Sequence, residues 1–251
     1  MDPAIALNLF LLASAPFVGS FLNVVAERWP KGEPFVRGRS RCEQCGHALG
    51  WRDLVPIVSW IIMRARCRYC GGILSPWHPV VEAAALAVAI WALIPLSGPL
   101  AAVTILFGWI LLALAIIDLR SLWLPDILTL PSGFAGLVLA WIVAPSGATD
   151  HVIGAAVGYA LLAAARHVYR RSRGREGLGE GDARLFGAAG AWVGWQGLGT
   201  VLLYAGFTAL AVLLIGARAG RPIGWTTRLP FGAHLCLATW LVWLYGPLYI
   251  D

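Results

Sequence analysis

Lysine and arginine occur in only a few stretches of this chain, and no other sequence feature constrains the fold as much. All 19 lie within 26–78, 166–184 and 217–228, or at Arg120. Around and between them run apolar segments at 4–25, 79–96, 99–118, 126–145, 151–168, 183–196, 198–216 and 231–249. An α-helix crossing a bilayer needs about 20 mainly apolar residues, and most of these segments come near that length. At 13% charged and 59% hydrophobic residues, the chain has too little charge to cover a water-soluble domain. Lipid offers no hydrogen bonds to an open strand, so the spans are expected to be helices. The expected fold is an all-α membrane protein with eight transmembrane helices.

Eight crossings would place every basic segment on one face. The opposite face would carry Asp2, Asp150 and Asp251 and no lysine or arginine. That asymmetry predicts both termini outside and the 26–78 loop in the cytoplasm. The net charge of +6 then belongs to the cytoplasmic face, where it suits anionic lipid headgroups and gives no reason to expect nucleic-acid binding. The first apolar run follows Asp2 with no basic residue before it, the reverse of a secretory leader, so it is expected to remain as a helix. Three divisions follow: a first helix at 1–25, a loop domain at 26–78, and a seven-helix membrane domain at 79–251.

The loop holds Cys42-Glu43-Gln44-Cys45-Gly46 and Cys67-Arg68-Tyr69-Cys70-Gly71, two CxxCG units with 21 residues between them. Two thiolates three positions apart can face one ion, and the glycine permits the tight turn of a zinc knuckle. Cys42, Cys45, Cys67 and Cys70 are therefore expected to bind one structural zinc. His47 and His78 stand in reserve, and disulfides are the alternative in an oxidising compartment. Between the pairs, Trp51 to Trp60 is aromatic and apolar, suited to the membrane interface or to packing on the knuckles. Glu82, opening the second span, suits a helix dipole, and Asn23 in the first span suits a hydrogen bond to another helix. Cys236 reads as a small buried apolar residue.

Three acids fall at span ends on the basic side: Asp118, Asp126 and Asp182. Asp126 follows Pro125 at a helix start, where an acid helps the dipole. Asp118 closes a helix, where an acid opposes the dipole, so a chemical role is the better reason for it. Asp182 follows Gly177, Gly179 and Gly181, and precedes Gly187, Gly190 and Gly194, which share a helix face open to close packing. Gly154 and Gly158 form a second such pair in the fifth span. Two carboxylates held together titrate as a unit. Such a pair suits amide hydrolysis: the ionised member takes a proton from water while the protonated one polarises the scissile carbonyl.

Taken in order, these motifs resemble the type IV prepilin peptidases, a family of GxGD aspartic proteases. The resemblance rests on GSFLNVV at 19–25, the paired CxxCG units, IDLR at 117–120, LPDILTLP at 124–131, EGLGEGD at 176–182 and PFG at 230–232. One departure is Leu54-Val55-Pro56, where many members have an Asn after the acid. The resemblance implies Asp118 and Asp182 as the catalytic pair, with Asp126 in reserve. It also implies cleavage of the short basic leader of prepilins or pseudopilins at the cytoplasmic face of a bacterial inner membrane. A second step, methylation of the new N-terminus from S-adenosylmethionine, is implied as well, with the 26–78 loop as its expected location. Glu27, Glu33, Glu43, Glu176 and Glu180 are candidate counter-charges for the leader.

Other classes fit less of the sequence. A transporter or channel could pair acids among helices, but the outer half of the spans carries no Asp, Glu, Lys or Arg to continue a polar path. A zinc-knuckle scaffold would leave the acids unexplained. A signal-peptide-peptidase-like enzyme would share GxGD but not the knuckles or the placement of the termini.

Overall fold

The computed structural model describes residues 3–36, 40–174, 177–220 and 229–248. Asp2, Glu176 and Asp251 lie outside them, as does the end of the last expected span. The described residues form helices α1 (Pro3–Arg28), α2 (Val58–Ile62), α3 (Trp77–Leu93), α4 (Gly98–Ser121), α5 (Asp126–Val143), α6 (Ala148–Arg173), α7 (Glu180–Arg218) and α8 (Phe231–Tyr245), with short 3-10 turns and no strand among them. Five are long and apolar enough to cross a membrane: α1, α4, α5, α6 and α7. At 17 and 15 residues, α3 and α8 are shorter than the roughly 20 residues a crossing needs. The expected helices at 183–196 and 198–216 run together as α7.

That fusion is not a straight rod. A continuous helix of 39 residues would be about 58 Å long, nearly twice the hydrocarbon thickness. Gly194 interrupts it with φ 71° and ψ 174°, a backbone state open to glycine and costly for other residues. Side chains hold the break. Asp150, in the first turn of α6, accepts the Trp195 Nε1–H at 3.2 Å and the Gln196 Nε2–H at 2.8 Å. The neighbouring His151 Nδ1 lies 3.1 Å from the Ala191 carbonyl oxygen, an acceptor in the turn before the break. The break falls slightly before the expected boundary because one inverted φ leaves no trace in apolar periodicity.

The chain divides into two compact units, residues 1–113 and 114–251. In the first, α1 packs along α3, and the Trp109 indole of α4 donates to the Ala85 carbonyl of α3 at 3.0 Å. In the second, α6 and α7 meet at glycines. A Cβ placed on Gly190 would lie 2.1 Å from the Gly154 carbonyl oxygen, and one on Gly158 would lie 2.6 Å from that of Phe186. The two backbones touch along the glycine faces expected from sequence.

Candidate functional site

Asp118 lies in the last turn of α4, in the second unit, only 4% exposed. Just beyond it α4 stops: Leu122 takes φ 53°, and its N–H returns to the Asp118 carbonyl at 2.9 Å. A left-handed leucine is strained, and it turns the chain sharply toward Trp123 and Leu124. The carboxylate opposes the dipole of its own helix, yet it serves another. Its Oδ2 accepts the Ala233 N–H at 2.9 Å, in the first turn of α8. That N–H also reaches the Pro230 carbonyl at 3.2 Å, but a helix start favours an anion, so Asp118 has a structural reward that its own helix does not show.

Gly232 makes the approach possible. A Cβ there would sit 3.0 Å from Asp118 Oδ2 and 2.7 Å from Leu124 Cδ1. This is the glycine of the PFG motif, whose spacing gave no hint of what it faces 114 positions away.

Asp182 is the third residue of α7 and 8% exposed. Its Oδ2 reaches back to accept the Gly179 N–H at 3.1 Å, the N-terminal half of a capping box. The glycine before it again faces Leu124: a Cβ on Gly181 would lie 2.8 Å from Leu124 Cβ. Leu124 is thus wedged between the starts of α7 and α8, and that wedge brings the two acids together. Asp118 and Asp182 flank the same leucine side chain.

Asp126 is engaged elsewhere. Both its oxygens accept from Arg184 Nη1 at 2.7 Å, and Arg184 also pairs with Glu180. Arg166 stands 3.6 Å from Glu180 as well. Pro125 is the N-cap of α5 and gives it no side-chain cap; Asp126, the first helical residue, ties α5 to α7 two residues past Asp182.

In the first unit the four loop cysteines converge. Their sulfurs lie within 4.8 Å of one another, with Cys42 Sγ and Cys70 Sγ 3.9 Å apart. A tetrahedral zinc with bonds of about 2.3 Å sets its sulfurs about 3.8 Å apart, so the donor set fits that ion. All are free thiols. The two knuckles share one geometry: Gly46 N–H returns to the Cys42 carbonyl and Gly71 N–H to that of Cys67, both at 2.9 Å, with both glycines at φ 70°. The Cys45 and Gln44 N–H groups hold the Cys42 thiol down at about 7. At Cys70 the Gly72 N–H also pulls downward, but desolvation and three neighbouring thiols push it up to about 11. Neither reserve histidine joins: His47 stacks on Tyr69, and His78 Nδ1 accepts from Asn23.

Two acids outside the predicted set have clear roles here. Asp53, in the Trp51–Trp60 segment, accepts from Gly50 N–H and pairs with Arg68 at 3.0 Å, so the segment is pinned to the second knuckle. The Leu54-Val55-Pro56 departure leaves that contact in place. Glu82 is not a dipole partner at a helix mouth: it is 5% exposed and accepts the Ile57 N–H at 2.7 Å. With the span expected to begin at 79, the sequence carried no signal for this contact.

Residues 14–96 match the bacterial peptidase A24 N-terminal domain, and residues 105–214 match the type IV leader peptidase family. A prepilin leader peptidase/N-methyltransferase of Aeromonas hydrophila is 36% identical over 256 residues, covering 91% of this chain and 87% of that protein. Its counterpart in Burkholderia pseudomallei strain 1026b is 36% identical over 96% of this chain and 86% of that protein. One from Klebsiella pneumoniae is 39% identical over 78% and 89%. No solved structure matches. Two domain matches in order, with relatives this similar along nearly the whole chain, establish that it belongs to the type IV leader peptidase family.

Proposed function

We propose that this protein is a membrane aspartic endopeptidase that removes the short basic leader of prepilins or pseudopilins and then methylates the new N-terminus from S-adenosylmethionine. The observation that carries the reading is the meeting of Asp118 and Asp182 around Leu124, in a chain whose relatives are named for both activities. Each acid spends one oxygen on a helix N-terminus, which fixes its rotamer and leaves the other oxygen for chemistry. The ionised acid takes a proton from water as the water attacks the scissile carbonyl, and the protonated acid donates to the developing oxyanion. The amine leaving group then collects a proton from the pair.

Counting α7 as two crossings joined at Gly194, and α3 and α8 as short crossings, gives eight spans with both termini outside. The basic loops and the acid pair then lie on the cytoplasmic side of a bacterial inner membrane. A prepilin fits that arrangement, its basic leader in the cytoplasm and its apolar helix among the spans, with Glu27, Glu33, Glu43 and Glu180 as candidate countercharges. Glu176, the other candidate, lies outside the described residues. Cys42, Cys45, Cys67 and Cys70 would hold one zinc; four sulfurs close its coordination, so it would brace the loop and take no part in hydrolysis.

The direct test mixes purified enzyme with a prepilin in detergent, with and without S-adenosylmethionine, and reads product masses. Cleavage after the leader glycine, with an added methyl mass only when the donor is present, is the expected result. An intact substrate across several prepilins, with a folded enzyme, would overturn the reading.

Two substitutions separate neighbours of the pair from the pair itself. Gly232→Val places atoms where Asp118 and Leu124 already stand, and cleavage should fall at least about tenfold, one lost hydrogen bond's worth. Asp126→Ala removes a half-exposed ion pair worth about 1 kcal/mol or less. Cleavage should then change by less than about tenfold, with a small shift in melting temperature.

A further inference from the structure

A groove runs down the second unit between α5 and α6, floored by α7, with about 750 Å³ of empty space, part of it open to the surroundings. Its floor is Gly187, Ala188 and Ala191, too small to fill the gap between the flanking helices. Those helices already rest on the floor and cannot close further. A Cβ on Gly133 would lie 3.2 Å from Ala188 Cβ, and one on Gly187 would lie 3.0 Å from Tyr159 Cβ. The walls are apolar and open: Leu130 and Phe134 of α5 are 57% and 69% exposed. Thr129 spends its hydroxyl on the Pro125 carbonyl, so the interior is mainly hydrocarbon. From Thr129 to Leu137 the groove runs about 12 Å along α5, close to the hydrocarbon depth of one leaflet, about 15 Å.

Charged groups stand at one end. Arg184 lines the groove there and holds Asp126 with one nitrogen and Glu180 with the other. Arg166 of α6 adds a second guanidinium 3.6 Å from Glu180. Two cations and two carboxylates sum to zero, within a stretch otherwise rich in arginine. The acid side chains stay open, at 47% for Asp126 and 53% for Glu180, so each keeps oxygen surface for a further donor. A purely anionic headgroup gains little from a neutral cluster, whereas one carrying both charges can meet both. The groove also lies away from the chemistry. At about 100° per residue, Arg184, Gly187, Ala188 and Ala191 fall on the side of α7 opposite Asp182. A helix about 10 Å across would fill the whole volume in under two turns, too short a seat for a substrate's helix or for one from a second copy.

We infer that this groove binds one phospholipid whose headgroup carries both a phosphate and a primary ammonium, as in phosphatidylethanolamine. One acyl chain lies over Gly187, Ala188 and Ala191, the phosphate meets Arg184, and the ammonium sits between Asp126 and Glu180. Inside a bilayer the gain is van der Waals contact, and a flexible chain follows a slot that the helices' own side chains leave unfilled. A primary ammonium donates up to three charge-assisted hydrogen bonds, which a fully methylated one cannot. Bound in this way, the lipid bridges α5 and α7 beside the Asp126–Arg184 tie. The inference stands apart from the reaction proposed above and needs only that α5, α6 and α7, each long and apolar enough, cross the membrane.

The test is native mass spectrometry of the full-length protein in detergent, titrated separately with phosphatidylethanolamine, phosphatidylglycerol and phosphatidylcholine. Phosphatidylethanolamine should bind once per chain, at least about tenfold tighter than either of the others. Asp126→Asn combined with Glu180→Gln leaves the two arginines unopposed and should turn the preference toward phosphatidylglycerol. Ala155 lines the groove, so Ala155→Phe fills it and should weaken all three lipids alike. A lipid with a photoactivatable acyl chain should label peptides from 129–137 and 155–159, a readout that decides the matter even where the phenylalanine variant does not fold. Equal affinity for the three headgroups overturns the site, as does an unchanged preference in the double variant. So does wild-type lipid retention by folded Ala155→Phe, or a label spread evenly over the spans. A lipid-free dimer cross-linked through α5 and α6 would overturn it in favour of a second copy.

Discussion

Asp118→Asn and Asp182→Asn should each lower prepilin cleavage by about 10⁴-fold, the upper range for loss of a positioned acid or base. Asparagine is nearly isosteric, and its carbonyl can still accept from Ala233 N–H or Gly179 N–H. The helix starts should therefore hold, and the melting temperature should stay within a few degrees of wild type. What is lost is the ability to exchange a proton with water or with the scissile carbonyl oxygen. The double variant should be no slower than the worse single one, because two halves of one proton-transfer unit do not add. Product masses over a time course measure the effect. Near-normal turnover in either single variant would move the chemistry away from the pair, whereas Asp126→Asn should remain active because Asp126 is held by Arg184.

The second large effect is expected at the cysteines. Purified enzyme should carry about one zinc per chain, and Cys42→Ser or Cys67→Ser should carry almost none, since structural zinc sites contribute about 10–16 kcal/mol in small domains. Those two are the buried pair; Cys45 and Cys70 are exposed, so their serine variants should retain more metal. Without zinc the two knuckles lose their common tie, and limited proteolysis should cut within 26–78 well before it touches the helices. Metal should also leave as pH falls, because protons compete for the thiolates. Zinc-free wild-type protein, or a Cys42–Cys70 disulfide in its mass spectrum, would exclude the site.

What the sequence disclosed depended on whether the signal was local. Apolar length and the confinement of lysine and arginine disclosed the membrane helices. CxxCG disclosed the knuckles because their glycine turns close within five residues. The acids at 118 and 182 stood out because local helix physics disfavoured the first and glycines surrounded the second. What stayed hidden was long-range. Nothing near Asp118 announces that its partner is an N–H on α8, 115 residues later. Glu82 read as a dipole partner because sequence shows the start of a helix but not the turn at Ile57 packed against it. The helices α3 and α8 came out shorter than their apolar runs, since hydropathy does not mark where backbone hydrogen bonding ends.

Active-site residues are usually a burden on the fold, and replacing them often raises stability at the expense of activity. Asp118 and Asp182, the pair proposed for catalysis, should behave the other way, because each supplies an acceptor to the start of a helix. Loss of an N-terminal capping acceptor costs about 1 kcal/mol, so Asp118→Ala and Asp182→Ala should make the enzyme both inactive and less stable. Selection for a robust fold and selection for turnover then act on the same two atoms in the same direction. Lengthening either side chain to glutamate would set them against each other, since the extra methylene cannot keep both the helix start and the opposing carboxylate in reach. Thermostable variants of this enzyme should therefore be sought elsewhere in the chain, with both aspartates held constant.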